Sequence, residues 1–519
     1  MSKGYTNDFY RQFEEISNKL DSLLDEKKKI KEEHKKEMAK LKYDLIKEFR
    51  EEKAELKETI KSLTKQLEEA NKLNKKLQED NDRLKNQINK NSSNSSKPSS
   101  SNFTTPKKKT SANEYNYRQK SNTNIGGQIG HIGHSLSKRD VENLITSNKV
   151  EERIITHTIK GKTGEEPIIK YRVGVEISAY AEKHIFIPSE NSNELLPKEF
   201  YTDVTYDNSI KALSIELGTY NLVAYDRLSD LFNVITDGVL TISNGTLVNF
   251  LYEFSAKSEP TINEIRSNLL NSPLLYTDET GSKYNKKNIF VRNYSNEENV
   301  LYLPRLHKGH DSIKDDNILP IFCGGIMGDH DTTLYSYGTK NYECNIHVGR
   351  YLEELIQNVF EIYWPVKMKE LIFRMHNSRK LAMQFGGSQF SDNKIEEYKK
   401  EYLEILDIAK EENKTIKSSY YKEKANKLVR RMTKYMDNHL YFIEDFEVPF
   451  DDNLSERDLR IFKNKTKISG GFRTMNGAKS YVNALSIVKT SIKRNINPFS
   501  SIKAIFNNET LFANWKSIS

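Results

Sequence analysis

The chain has 519 residues, of which 30% are charged and 36% hydrophobic, and its formal net charge is +8 with a sequence pI near 8.9. That length exceeds what one compact core normally holds, so several domains are expected, and the basic balance suits an anionic partner such as DNA. No run approaches the roughly 20 apolar residues of a membrane helix, and the opening MSKGYTNDFYRQFEE lacks a signal-peptide core. Two cysteines, Cys323 and Cys344, make neither a disulfide framework nor a four-thiolate zinc site. Free thiols in a cytoplasmic setting are the expectation.

Residues 1–90 carry a long helix from about residue 10, rich in Leu, Ile, Glu, Lys and Gln. Ile60, Leu67, Asn74, Asn81 and Ile88 fall at one heptad position; Leu56, Leu63, Ala70, Leu77 and Leu84 fall at the other. Leucine at the second position with asparagine at the first favours a parallel two-stranded coiled coil, and hence a homodimer. The alternative is a single charged surface helix. Residues 91–135 are a linker: NSSNSSKPSSSNFTTPKKK offers almost nothing to bury and should be disordered. It ends in a Gly/His segment, Gly126 to His134, whose two histidines, His131 and His134, have no further ligand nearby.

Residues 136–205 read as β-rich, with RIITHTI, IIKYRVGVEI and KHIFIP as strands between turn signals such as Lys162-Thr163-Gly164. Residues 206–270 read as helical. YDRLSDLFNVI and ISNGTLVNFLYEF form a helix, a turn and a helix, with Ser243 as N-cap of the second. A DNA-binding helix-turn-helix and a pair of ordinary packed helices both fit this spacing.

Residues 271–364 then supply five short strands, in SPLLYTDET, NIFVRNY, NVLYLP, ILPIFCGGIMGD and YECNIH, the last leading into a helix VGRYLEELIQNVFEIYW. This order is what an RNase H-like α/β domain would show. Residues 365–440 are a charged helical insertion, and residues 441–519 return to the core through a helix around NLSERDLRIF and further C-terminal helices.

Three acidic residues stand out. Asp278 is placed just after the apolar strand Pro273–Tyr276, Asp329 follows the strand Ile321–Met327 through a glycine, and Glu456 lies on a later helix. Two aspartates at the ends of neighbouring strands and a glutamate from a helix can bind two divalent cations. Oxygen ligands suit Mg²⁺, and two such ions stabilise both the attacking and leaving oxygens of a phosphoryl displacement. Each residue also has an ordinary reading: a strand-end turn for Asp278, a turn or helix cap for Asp329, and a surface pair with Arg460 for Glu456. Asp452, Glu456, Arg460 and Lys463 share one helical face, with Leu459 and Phe462 elsewhere.

The segments LLYTDET, MGDHDTTLYSYG, CNIHVGRYLEEL and VPFDDNLSERDLRIFKNKTKISGGFRTMNGAKSY closely resemble, in order, the catalytic domain of transposases of the insertion sequence 66 family. NSSKPSS, KKK and GGQIGHIGH are similar to the segment those proteins carry after an N-terminal coiled coil. The resemblance implies a DDE transposase with an RNase H-like fold and a catalytic, metal-binding triad of Asp278, Asp329 and Glu456. It implies two Mg²⁺ or Mn²⁺ ions, hydrolysis at element ends and transfer of the 3′-hydroxyl strand into target DNA, in a bacterial cytoplasm. It further implies terminal inverted repeats and target DNA as partners, with accessory proteins of the same element as additional ones. His347 and Arg350, in Cys-x-x-His-x-x-Arg, either position DNA or support the site, or else have a buried structural role. Arg457, Arg460, Lys463 and Arg473 are the other candidate DNA contacts. This chain departs from the family in three ways: no cysteine zinc ribbon in 135–205, Ile129 in place of proline, and Asp452 in place of asparagine. Two alternatives share these features: a DNA-binding derivative that no longer cuts, and a metal-dependent nuclease that cuts without joining.

Overall fold

A computed structural model describes residues 5–91, 94–95, 136–157, 166, 169–188, 194–509 and 511. The Gly/His segment and nearly all of the 91–135 linker lie outside the described residues. The chain divides into two compact units, Met1–Ile88 with Lys417–Tyr420, and Asn89–Ile416 with Tyr421–Ser519. Among the described residues no helix is long and apolar enough to cross a membrane.

The first unit is dominated by helix α1, Tyr5–Asn89, which neither glycine nor proline interrupts. Its seam residues Leu63, Leu67, Leu77 and Leu84 are each more than half exposed. A lone helix gains little from such leucines, because helices in proteins are stabilised mainly by packing an apolar face.

In the second unit α2, Lys138–Thr146, opens with a reciprocal capping box between Ser137 and Asp140. The strands expected around RIITHTI, IIKYRVGVEI and KHIFIP do not form among the described residues of 151–188. Ile154, Val175 and Ile187 stand almost fully exposed there. The correction has a physical reason: β-branched residues favour a pleated surface that has something to pack against, and nothing described here pairs with these segments.

Four helices follow: α3 Asn208–Thr219, α4 Tyr225–Ile235, α5 Asn244–Lys257 and α6 Glu259–Leu270. Ser243 caps α5, its Oγ accepting from the Thr246 backbone N–H at 3.1 Å. Leu228 and Phe232 of α4, Ile242, and Leu247 and Phe250 of α5 close a small core. The chain reverses between the two helices at Asp237 and Gly238, both left-handed.

The sheet has five strands: β1 Leu274–Tyr284, β2 Lys287–Ser295, β3 Val300–Arg305, β4 Gly325–Gly328 and β5 Lys340–Glu343. They lie in the order β3-β2-β1-β4-β5. β1, β2 and β3 pair antiparallel, while β4 joins β1, and β5 joins β4, in parallel. This mixed sheet is compatible with the RNase H-like arrangement. Between β3 and β4 lies a short helix, α7, His310–Asp316.

After β5 the helix expected from VGRYLEELIQNVFEIYW ends early: α8 runs Asn345–Asn358, and α9, Trp364–Gln384, opens the helical block. Pro365 sits in the first turn of α9, where a missing N–H costs nothing. Helices α10 Asp392–Glu412, α11 Ser419–Lys434 and α12 Met436–Glu444 complete the helical block. Three helices end the chain: α13 Asn453–Ser469, α14 Met475–Lys493 and α15 Pro498–Phe506.

The main core lies between the sheet and α14, whose Tyr481, Val482, Leu485 and Val488 pack with Leu301 and Leu303 of β3. β3 is a sheet edge with unpaired backbone groups, and α14 satisfies them. Ser486 and Thr490 hydroxyls accept from the Tyr302 and Val300 N–H groups at 3.0 and 3.1 Å. α13 packs on β1 and β2, fastened to α14 where Lys489 and Lys493 meet the buried Asp458 at 3.3 and 2.7 Å. Asp458→Ala removes the carboxylate that faces two nearly buried ammonium groups, leaving Lys493 the Asn296 carbonyl at 2.7 Å, so urea denaturation should show a loss of about 3 kcal/mol. Arg460→Ala, at an exposed position of the same helix, should change stability by less than about 0.5 kcal/mol.

Candidate active site

Asp278 lies within β1, not after it, because pairing with β2 extends the strand to Tyr284. The parallel register aligns Thr277 with Gly328, the last residue of β4. Asp278 and Asp329 are therefore the next residues on neighbouring parallel strands. Gly328 has a packing reason: a Cβ there would stand 2.5 Å from Leu334 Cδ1.

Glu456 comes from the first turn of α13. Asn293 on β2 ties this helix to β1: its Oδ1 accepts from the Asp278 N–H at 3.0 Å, and its Nδ2 donates to the Ser455 carbonyl at 3.1 Å. Sequence reasoning did not single out Asn293; NIFVRNY gave only a strand.

His347 Nε2 lies 3.2 Å from Asp329 Oδ2 and 3.2 Å from Glu456 Oε1, so one nitrogen bridges two of the three carboxylates. Arg350 Nη1 stands 3.3 Å from Glu456 Oε1 and 3.0 Å from His347 Nε2. Lys463 Nζ stands 3.5 Å from Asp278 Oδ2. Among the described residues Glu456 faces His347 and Arg350 rather than Arg460. His347 is buried against Asp329 and Glu456. Arg457, Arg460 and Arg473 are exposed, and Lys463 is half-buried beside Asp278.

Three carboxylates this close repel one another. Burial, then the charges of Asp278 and Glu456, push Asp329 up to about 7. Burial also raises Asp278, with Lys463 opposing it. Burial, then the neighbouring Arg350 and Lys463, pull His347 down to about 3.

Asp452 is fully buried. Burial, then its three carboxylate neighbours, raise it far above the usual range. The Ser455 hydroxyl donates to the Asp452 carbonyl rather than to its carboxyl.

The donor set fits a hard divalent cation: oxygen ligands, a shared negative charge, and a buried Asp329 Oδ1 with no hydrogen-bond partner among the described residues. Beside Asp278 and Asp329 a cleft of ≈ 440 Å³ is lined by Glu279, Arg292, Lys308, Gly309, Asp331 and Thr333. Glu279 holds its two basic groups, at 3.2 Å from Arg292 and 3.1 Å from Lys308.

The Transposase IS66 family matches residues 204–480, just over half of the chain. The chain belongs to that family. No curated protein matches it. Membership makes this a transposase of an insertion sequence, a DNA-processing enzyme whose partner is DNA. The match spans β1, β4, α8 and α13, so Asp278, Asp329, His347, Arg350 and Glu456 all lie within the transposase region.

The raised Asp329 of this transposase sets a pH dependence. A carboxyl raised in the fold loses stability as pH climbs from its unfolded value near 3.8 to about 7. Without divalent cation, Asp329→Asn should therefore stabilise the protein by roughly 1–3 kcal/mol at pH 8 after allowance for screening. The gain should vanish below about pH 4, as measured by thermal melting across pH. Asp452 is raised by burial and the same neighbours, so Asp452→Asn should raise the melting temperature more at pH 8 than at pH 4.

Proposed function

We propose that the chain is an active DDE transposase: it binds the ends of its insertion sequence, hydrolyses the phosphodiester and joins the freed 3′-hydroxyl strand to target DNA. Asp278, Asp329 and Glu456 would hold two divalent ions, Mg²⁺ or Mn²⁺. The observation that carries this reading is that Asp329 and Glu456 meet on His347 Nε2, with Asp278 on the parallel strand beside Asp329. When bound, the ions supply charge stabilisation to the attacking and leaving oxygens of an in-line displacement.

The protein's own groups have separable tasks. Asp278 and Asp329 present fixed oxygens from the sheet, and Asn293 fixes the approach of α13 to them. His347 and Arg350 hold Glu456 in place. Arg292 and Lys308 are paired to Glu279 in the wall of the cleft beside Asp278 and Asp329. The exposed Arg457, Arg460 and Arg473 lie along the duplex, as phosphate contacts that set register without reading sequence. α1 would pair with α1 of a second copy, burying the leucine seam that a single chain leaves exposed. Two copies would then bring together two element ends, in a bacterial cytoplasm.

The test is divalent-dependent cleavage and joining of a labelled duplex carrying the element's own ends. Glu456→Gln removes one charge with shape kept and should lower both steps at least about a hundredfold, since metal charge stabilisation is worth several kcal/mol. Equal activity would remove Glu456 from the site. Cleavage without joining would support a nuclease, and DNA binding without either step would support a non-cutting derivative. Leu63→Glu with Leu77→Glu should convert a dimer to a monomer by light scattering while leaving the melting of the second unit unchanged.

A further inference from the structure

A second cluster of metal-ligand side chains lies beside the triad without belonging to it. His330 follows Asp329 at the end of β4, Glu343 ends β5, and His439 lies on α12. One ligand atom from each lies within 4.8 Å of the others. The side chains of His330 and Glu343 are 5% and 3% exposed, and His439 is 1% exposed.

Their remaining contacts aim these atoms at one another. Tyr335 donates to Glu343 Oε1, and Arg431 donates to the same oxygen at 3.0 Å. That leaves Oε2, which is 3.2 Å from His330 Nδ1. The Tyr402 hydroxyl meets His439 Nδ1 at 2.9 Å and reaches the Met432 carbonyl at 3.5 Å. A hydroxyl that donates to a carbonyl accepts from Nδ1–H, so His439 keeps a bare lone pair on Nε2. Among the described residues, His330 Nδ1 and Nε2, Glu343 Oε2 and His439 Nε2 are all buried with no hydrogen-bond partner of acceptable geometry. Buried polar atoms left this way are costly. His330 also holds φ +40, a left-handed conformation uncommon outside glycine and best tolerated by Asn, Asp and His.

We propose that His330, Glu343 and His439 bind one divalent transition cation, of the zinc class. Two imidazoles and a carboxylate match zinc's ligand preference. Ligands of a tetrahedral zinc stand about 3.3 Å apart at the usual bond lengths, and the Glu343–His330 pair already has this spacing. Tyr402, Tyr335 and Arg431 are the outer partners that orient the ligands. The cation joins the loop after Asp329, the end of β5 and the helical block, so it fixes the backbone on which Asp329 is presented. This site does not depend on the catalytic reading of Asp278, Asp329 and Glu456.

The test uses tag-free, full-length protein stripped with a chelator and titrated with Zn²⁺, followed by metal analysis and thermal melting, with Co²⁺ absorption reporting coordination. About one equivalent should bind tightly and raise the melting temperature. His330→Asn, which suits the left-handed backbone, and Glu343→Gln, which keeps shape, should each lose that equivalent while retaining the circular dichroism of the wild type. Tyr402→Phe should weaken zinc binding about tenfold. Asp278→Asn combined with Glu456→Gln should still bind it. Failure to bind zinc, or equal binding in His330→Asn and Glu343→Gln, would overturn the site and leave a hydrogen-bonded His/Glu cluster. Loss of zinc only in the Asp278/Glu456 variant would also overturn it, by assigning the ion to the triad.

Discussion

Repulsion among like charges governs the second unit. Asp278 and Asp329 sit side by side because β1 and β4 run parallel with Thr277 opposite Gly328. Glu456 is added from α13, and Asp452 lies beneath. Water would screen such a cluster at the surface; burial removes that help and leaves the fold to hold it. The cost appears as a carboxyl raised to about 7 at Asp329 and an Asp452 carboxyl raised in the same direction. Arg350 and Lys463 each face one carboxylate, partial substitutes for the charge the cluster is built to receive.

Much of the surrounding structure keeps these groups from moving apart. Asn293 ties β1 to α13, Asp458 ties α13 to α14, and α14 completes the sheet edge at β3. On the other side Glu343 links β5 to the helical block through Arg431, and Tyr402 ties α10 to α12 through His439. Strain of this kind is common where function requires it and stability is supplied elsewhere.

The parts legible in the sequence were those with short-range causes. The heptads marked α1, Ser243 announced the start of α5, and the strand order from LLYTDET to YECNIH follows from local alternation and turns. The three acidic residues could be named, but spacing alone could not choose them among 73 acidic residues; the resemblance did that. What stayed hidden depended on distant partners. Asp452 is buried because α8, through Cys344, lies against its backbone N–H, and a sequence window does not contain that contact. Asn293, Glu343 and His439 acquire meaning only once β2, β5 and α12 are brought together. The apolar runs of 151–188 failed in the opposite direction, since local β preference does not provide a partner strand.

The most direct measurement is calorimetric titration of Mn²⁺ into the metal-free protein near pH 6, in buffers of different ionisation enthalpy. Binding should displace up to about one proton, because Asp329, raised to about 7, must ionise to accept the cation. The release should disappear above about pH 8 and in Asp329→Asn. Equally tight Mn²⁺ binding by Asp329→Asn, or binding with no proton release at pH 6, would contradict the account of a crowded carboxylate cluster built around a cation.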